Sequence, residues 1–202
     1  IYLSLEVDMS NIINMREKLI PLVQSKYNVK LSYNHILIKA VATALKLNPI
    51  INSTFTEEKI ILNQQINIGL AVALEDGLIV PVIKDADKKG LATIAKEAEE
   101  LIQKAKNKKL LPDEYHGGSF TITNLGMFDI ENFCAIINQP ETAILAVGKI
   151  IKKPVVIDDQ IAIKPMMNLT LSCDHRAIDG AVGARFLQSI KQILEEPMNM
   201  LL

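Results

Sequence analysis

The chain contains no tryptophan, and only two of its 202 residues are cysteine. Cys134 and Cys173 are too few and too far apart for a disulfide framework or a metal knuckle, so free thiols in a reducing compartment are expected. Long apolar runs are missing as well. "AILAVG" and "LIVPVI" are of strand length, well short of the ~18 residues a membrane helix needs. Neither sign of charge dominates: the formal net charge is −1, which leaves no electrostatic case for a nucleic-acid partner or an anionic membrane. HExxH, CxxC, P-loop and GxGxxG patterns are absent, so zinc hydrolysis, dithiol redox chemistry and nucleotide folds lose their usual support. No metal ligand set is expected. Nor is there a repeat, a low-complexity linker or a signal peptide. Ile1 opens directly on a strand pattern, so the natural region upstream is expected to be missing here.

What is present is an unusual amount of apolar side chain. At 49% hydrophobic residues the chain is at the upper edge for a soluble domain, which suggests surface buried against other subunits. "IYLSLEVD" alternates as a half-buried strand does, and Asp8 or Ser10 can cap the helix after it. Ser32 is a second candidate cap, ahead of the buried helical run "ILIKAVATALKL" that Pro49 ends. "NSTFT" and "KIILN" predict short strands, and "INIGLAVAL", "EDG" and "LIVPVI" a hairpin-like pair. Residues 91–109 form an amphipathic helix over a sheet. After Gly117 and Gly118 come four strands, "SFTIT", "TAILAVG", "KPVVID" and "IAIKPMMNLTLSC", with a turn at Asp158 and Asp159 between the last two. A final helix runs from about Asp179 to Glu195. The expectation is one α/β domain, a mixed sheet covered by three or four helices.

Two polar clusters stand out. After the apolar run "MNLTLSC" come Asp174, His175, Arg176 and Asp179, where a strand interior would hold Val, Ile or Leu. His175 is the candidate acid–base group. Asp179 falls where a helix begins, so an N-cap or an ion pair explains it as readily as catalysis does. In "GGSFTITNLG", Phe120 and Ile122 share one strand face and Thr121 and Thr123 the other, with Asn124 and Gly126 beyond the strand. The Thr123 hydroxyl can serve as an oxyanion donor or as ordinary turn chemistry. His35 and His116 read as structural or solvated.

"LSCDHRAIDGAVGARFLQSIKQILEEPMNMLL" resembles the C-terminal end of the dihydrolipoyl acyltransferases, the core components of 2-oxo acid dehydrogenase complexes. The HxxxDG part, His175 to Gly180, is shared with chloramphenicol acetyltransferase. "SFTITNLGMF", "NFCAIINQPETAILAVGKI", "INIGLAVALEDGLIVPVIKDADKKGLATIA" and "YNHILIKAVATALKLNP" extend the resemblance over essentially the whole chain. "NLGMF" and "IINQPETAILAVG" are most similar to the acetyltransferases of the pyruvate complex.

The resemblance implies a chloramphenicol acetyltransferase-like sandwich, trimeric, with residues 1–202 as the catalytic core and the N-terminal part of the domain, lipoyl and subunit-binding domains upstream. It implies transfer of an acetyl group from dihydrolipoamide to coenzyme A. His175 would move the proton between thiols and Thr123 would steady the oxyanion from a neighbouring subunit, with Asp179 beside them. Arg16, Ser32, Asn124 and Gly148 match coenzyme A contacts. Trimers would join into a core of 24 or 60 subunits, with Met200-Leu201-Leu202 as a plug in a neighbouring trimer or folded back on its own domain. Pyruvate dehydrogenase and dihydrolipoamide dehydrogenase would bind through the upstream domains, in a bacterial cytoplasm or a mitochondrial matrix. The other readings are succinyl or branched-chain transfer and a non-catalytic scaffold subunit. Two departures from the family pattern are Thr123 in place of Ser, and Asp129 in place of a common Gly, a position sensitive to positive φ.

Overall fold

The computed structural model describes residues 1–75 and 77–201, Leu201 by its backbone alone. Its elements in chain order are β1 (Tyr2–Asp8), α1 (Ser10–Tyr27), α2 (Tyr33–Leu47), β2 (Ser53–Phe55), β3 (Ile60–Leu62), β4 (Ile68–Leu70), β5 (Val72–Leu74), β6 (Gly77–Ile79), β7 (Val82–Ile83), α3 (Leu91–Lys106), the single turn α4 (Pro112–Tyr115), β8 (Phe120–Asn124), β9 (Ala143–Ile157), β10 (Gln160–Cys173) and α5 (Gly180–Glu195).

Six strands form the main sheet in the order β1-β10-β9-β8-β4-β7. It is mixed: β8 runs parallel to both β9 and β4, and the remaining pairs are antiparallel. Register explains the two faces. Ile122, Leu145, Leu171 and Leu3 lie in one cross-strand row, and α5 packs against that face, with the Phe186 ring edge-on to Phe120 at 5.5 Å. Thr123, Ala146, Thr170 and Ser4 form the next row, on the opposite face. There the residues are small and hydroxylated, and the irregular segment 129–138 crosses over them: Thr170 Oγ1 bonds both Ser4 Oγ and Asn132 Oδ1.

That crossing needs a bulge. The β9–β10 register shifts between Met167 and Leu169, opposite Gly148 and Lys149. Lys149 N donates to Ile130 O at 2.8 Å, and a Cβ on residue 148 would sit 1.9 Å from the Glu131 carbonyl oxygen. Only glycine fits beneath the segment.

Several local expectations hold. Ser32 caps α2 in a capping box with His35, whose burial pushes its imidazole down to about 4. Asp158 and Asp159 turn β9 into β10, both at positive φ. Asp129 does take the left-handed conformation, φ 64°, and Lys149 Nζ bonds its carboxylate at 2.5 Å.

Other expectations need correction. Neither Asp8 nor Ser10 is the N-cap of α1. Met9 is, while Asp8 Oδ1 accepts from Ser10 N and Oγ one residue further out. "TAILAVG" and "KPVVID" are one strand, β9, because its partner β10 is equally long and the bulge absorbs the break in pattern. The hairpin-like pair divides in two: β4 and β7 stay in the main sheet while β5 and β6 pair separately, parted at Ala71 and at Val80-Pro81. The helix read as 91–109 stops at Lys106, and Asn124 belongs to β8, level with Val147.

The plug residues lie partly outside the described chain. Residues Pro197–Leu201 form a 3-10 turn in which Met200 packs against the protein's own core and Met198 is exposed; Leu202 and the Leu201 side chain are not described. No helix among the described residues is long and apolar enough to cross a membrane.

Candidate active site

His175 sits on a turn that other residues hold rigidly. Asp174 N donates to Thr142 O at 2.9 Å, and the Asp174 carbonyl takes the Ala177 and Ile178 amides. Arg176 closes the turn from outside, Nη2 to Asp174 Oδ2 at 2.7 Å, with its guanidinium 4.2 Å above the Phe55 ring. The hydrogen bonds from Arg176 hold the Asp174 carboxyl below the usual range. Ile178 is fully buried and anchors the far end. The result is an exposed imidazole that bonds nothing among the described residues, on a backbone that cannot easily give.

Asp179 occupies the N-cap position of α5 by its backbone, its carbonyl accepting from Gly183 N at 3.0 Å. The N-cap reading thus holds for its position and backbone, while its side chain makes no capping bond and no ion pair among the described residues. It remains a free carboxylate at the end of the His175 turn.

Thr123 is half-buried near the end of β8 and lines a cavity of about 490 Å³ with Thr121, Asn138, Leu78, Val80 and the segment Phe133–Ile137. Asn124, on the other face, donates to Asn34 Oδ1 at 2.7 Å and accepts from Gly126 N at 2.8 Å. Asn124, Gly126 and Gly148 line a second cavity, of about 300 Å³, with Tyr33 and Asn34 of α2. Arg16 and Ser32 line a third, of about 440 Å³. The Arg16 guanidinium lies 4.6 Å over the Tyr33 ring and Nε donates to Leu31 O, which fixes the fork and leaves its terminal nitrogens for an anion. Tyr33 lines the Asn124 cavity and carries the Arg16 guanidinium on its ring, so Arg16 and Ser32 line one cavity and Asn124 and Gly148 another, with Tyr33 touching both groups.

Thr123 and His175 are not brought together within one chain. Thr123 is level with Ala146 and Thr170, and His175 is two strands over and five residues past Thr170. At ~3.3 Å per residue and ~4.8 Å between strands, the two lie on the order of 15–20 Å apart.

Sequence reasoning passed over Glu141. It is 5% exposed, and burial pushes its carboxyl up to about 7. Its Oε1 accepts from Thr121 Oγ1 at 2.9 Å and from Asn138 Nδ2 at 3.3 Å, while Oε2 has no partner among the described residues. The available signal was a glutamate immediately ahead of the apolar run "TAILAVG". Cys134 is exposed on the Thr123 cavity, whereas Cys173 is buried, which pushes its thiol up to about 11. No group of three His, Cys, Asp or Glu among the described residues could hold a metal ion.

Known proteins resemble this chain along its whole length. Dihydrolipoyllysine-residue acetyltransferase components of pyruvate dehydrogenase complexes match over the whole chain, from Rickettsia felis at 42% identity and from Arabidopsis thaliana mitochondria at 45%. The chain spans 49% and 38% of those two proteins, about half or less of each. Among solved structures, dihydrolipoamide acetyltransferase from Azotobacter vinelandii superposes with a TM-score of 0.96 at 36% identity, covering all of this chain and 84% of that one. It was studied for the role of one serine, one histidine and one asparagine in its catalytic mechanism. The cubic core of a pyruvate dehydrogenase multienzyme complex superposes equally well. A chloramphenicol acetyltransferase shares the fold at a TM-score of 0.61 and 15% identity, covering 96% of this chain and 87% of that one. The model of the 2-oxoacid dehydrogenases acyltransferase catalytic domain matches residues 1–202, and the chain belongs to that family.

Proposed function

We propose that the protein transfers an acetyl group from S-acetyldihydrolipoamide to coenzyme A and forms the structural core of a pyruvate dehydrogenase complex. One observation carries the reading. The serine-to-histidine interval in the Azotobacter enzyme, 52 residues, equals that from Thr123 to His175, and its histidine-to-asparagine interval of four equals that from His175 to Asp179. The equal intervals, with a superposition that covers the whole of this chain, support matching roles for Thr123, His175 and Asp179.

The chemistry follows from the groups present. A thiol with a pKa of ~8.5 is only a few per cent ionised near neutrality, so attack on a thioester gains from a positioned base. The coenzyme A sulfur attacks the acetyl carbonyl as its proton passes to His175. The Thr123 hydroxyl donates to the oxygen that becomes negative. The tetrahedral intermediate then expels the dihydrolipoyl sulfur, which takes the proton back from the imidazole. No acyl-enzyme is needed. Asp179 stands where the Azotobacter interval places an amide, so its part is to orient by hydrogen bonding rather than to exchange protons.

The lining of the cavities supports these ligands. Arg16 and Ser32 suit the anionic end of coenzyme A, Asn124 and Gly148 its pantetheine arm. The largely apolar wall beside Thr123 suits the dihydrolipoyl arm, carried on a domain upstream. The separation of Thr123 from His175 within a chain supports a site made between subunits of a trimer. So do exposed apolar side chains beside the two cavities, Ile136 at 93% on the Thr123 cavity and Met127 at 83% on the Asn124 cavity. We propose that trimers build a core of 24 or 60 subunits in a bacterial cytoplasm or a mitochondrial matrix, and that pyruvate dehydrogenase and dihydrolipoamide dehydrogenase attach through upstream domains.

The test is a coenzyme A-dependent assay with acetyl-, succinyl- and isobutyryl-dihydrolipoamide in parallel. Preference for acetyl supports the proposal. Preference for another acyl group moves it to a sister complex, and no transfer of any acyl group leaves a scaffold subunit.

A further inference from the structure

The segment from Asn138 to Thr142 touches both halves of the catalytic apparatus. Through the Glu141 side chain it grips β8: Oε1 takes the Thr121 hydroxyl at 2.9 Å, two residues before Thr123 and on the same strand face. Asn138 Nδ2 reaches the same two oxygens, Glu141 Oε1 and Thr121 Oγ1, both at 3.3 Å, which closes a three-membered ring of hydrogen bonds. Thr121 and Asn138 face the Thr123 cavity, so this ring is part of its wall. One residue on, Thr142 O holds the amide of Asp174, the residue that begins the His175 turn. Thr142 is itself immobilised, its hydroxyl bonded to Ser53 Oγ and to the Ile51 and Ser53 carbonyls.

Packing around the ring leaves it little room. A Cβ on residue 118 would come within 3.0 Å of Glu141 Oε1, and one on residue 69 within 3.0 Å of Thr121 Oγ1. Two glycines therefore let the backbone close on a carboxyl that has no charged partner. The groups that act on it are the Thr121 hydroxyl, the Asn138 amide and burial itself, from β8, from its own segment and from the surrounding core. A buried carboxyl with one oxygen unpartnered costs stability that a valine or leucine would not, so packing alone does not account for it.

We propose that Glu141 is a positioning residue, its carboxyl locking the Thr123 strand to the segment whose next carbonyl fixes the His175 turn. The proposal rests on the acyl-transfer reading for its kinetic consequence, but not for its structural one. Burial, which raises the Glu141 carboxyl, suits the task, since it disfavours an anion on a wall near the negative charge developing at Thr123. The positioning groups lie away from the Arg16 and Ser32 cavity, so coenzyme A affinity should be spared.

The test uses Glu141→Ala and the conservative Glu141→Gln in the assembled protein, with two readouts. Deuterium exchange is followed by mass spectrometry in peptides covering 119–124 and 172–178, and kcat and the coenzyme A KM are measured in the acetyl-transfer assay. The expected result for E141A is faster exchange in both peptides and at least a tenfold loss in kcat with KM changed less than twofold. E141Q should return both toward wild type. Should E141A fail to assemble, Asn138→Ala removes a donor from the same ring and is expected to speed exchange in both peptides. Exchange changes confined to 138–142, or an E141A variant with wild-type kcat, overturns the proposal. A wild-type protein without transfer activity would sink the functional reading, while the exchange pattern would still decide the linkage.

Discussion

Asp174 and Arg176 clasp each other across the turn that presents His175. Two guanidinium nitrogens and the Arg176 amide all bond the one carboxylate, at 2.7 to 3.2 Å. The pair is partly exposed, so its worth to global stability is small. Its worth is geometric, because it holds the backbone on both sides of the imidazole. Asp174→Ala should therefore lower kcat by about tenfold to a hundredfold, the range expected when a reacting group is misplaced by an ångström. Thermal unfolding should change little, and a comparable loss of melting temperature would point to folding instead.

His175→Ala should reduce acetyl transfer by about 10²–10⁴-fold, the contribution of a positioned acid–base group. The side chain is exposed within its own chain and contributes no hydrogen bond to the fold among the described residues, so particle mass by sedimentation should be unchanged. Wild-type turnover in this variant would remove the base assignment.

Thr123→Val deletes the hydroxyl and keeps the shape. It should cost about 3–4 kcal/mol in the transition state, a rate loss of roughly 10²–10³-fold, with substrate KM little affected. Thr123→Ser should stay within a few-fold of wild type, as it keeps the hydroxyl. Parity between the valine variant and wild type would dismiss the oxyanion role.

Two buried groups oppose each other in pH. Burial raises the Glu141 carboxyl to about 7 from an ordinary 4.5, so the folded state binds that proton more tightly than the unfolded chain does. Its contribution is complete below pH 4.5 and declines by about 3 kcal/mol as pH rises to 7, at about 1.4 kcal/mol per unit. His35 is pushed down to about 4 from 6.5, so the unfolded chain binds its proton more tightly. Its contribution grows by a similar amount between pH 4 and 6.5. The two nearly cancel in the wild type over pH 4.5–6.5. In E141Q only the histidine slope remains, and denaturant midpoints should climb steeply with pH across that window. An unchanged slope would mean that Glu141 ionises normally.

Gly148→Ala separates two explanations of one residue. The carbonyl of Glu131 lies where the new Cβ must go, so the variant should lose at least the 1–3 kcal/mol typical of overpacking, about, before any ligand is considered. Calorimetry without coenzyme A reads this directly. A weakened KM with unaltered melting would instead favour contact with the pantetheine arm.

Much of the site was visible in the order of residues. The four-residue step from His175 to Asp179 needs no structure, and alternation in "FTIT" already separated Phe120 and Ile122 from Thr121 and Thr123. Glu141 was missed because a single glutamate before a strand has no local signature. Its significance comes from Thr121, twenty residues earlier, and from two glycines still further off. The merged strand β9 escaped for a similar reason, since only its pairing with β10 reveals that Gly148 marks a bulge and not an end.

By itself the sequence determined the long helices to within a few residues, most strand cores, the Ser32 cap, the Asp158-Asp159 turn, and which residue types could do chemistry, because these depend on neighbours a few positions away. Sheet order, the crossing of segment 129–138 over Gly148, the ring around Glu141 and the distance between Thr123 and His175 were settled only by tertiary structure. Each joins groups far apart in the chain, through steric fit and hydrogen bonds that no local pattern encodes.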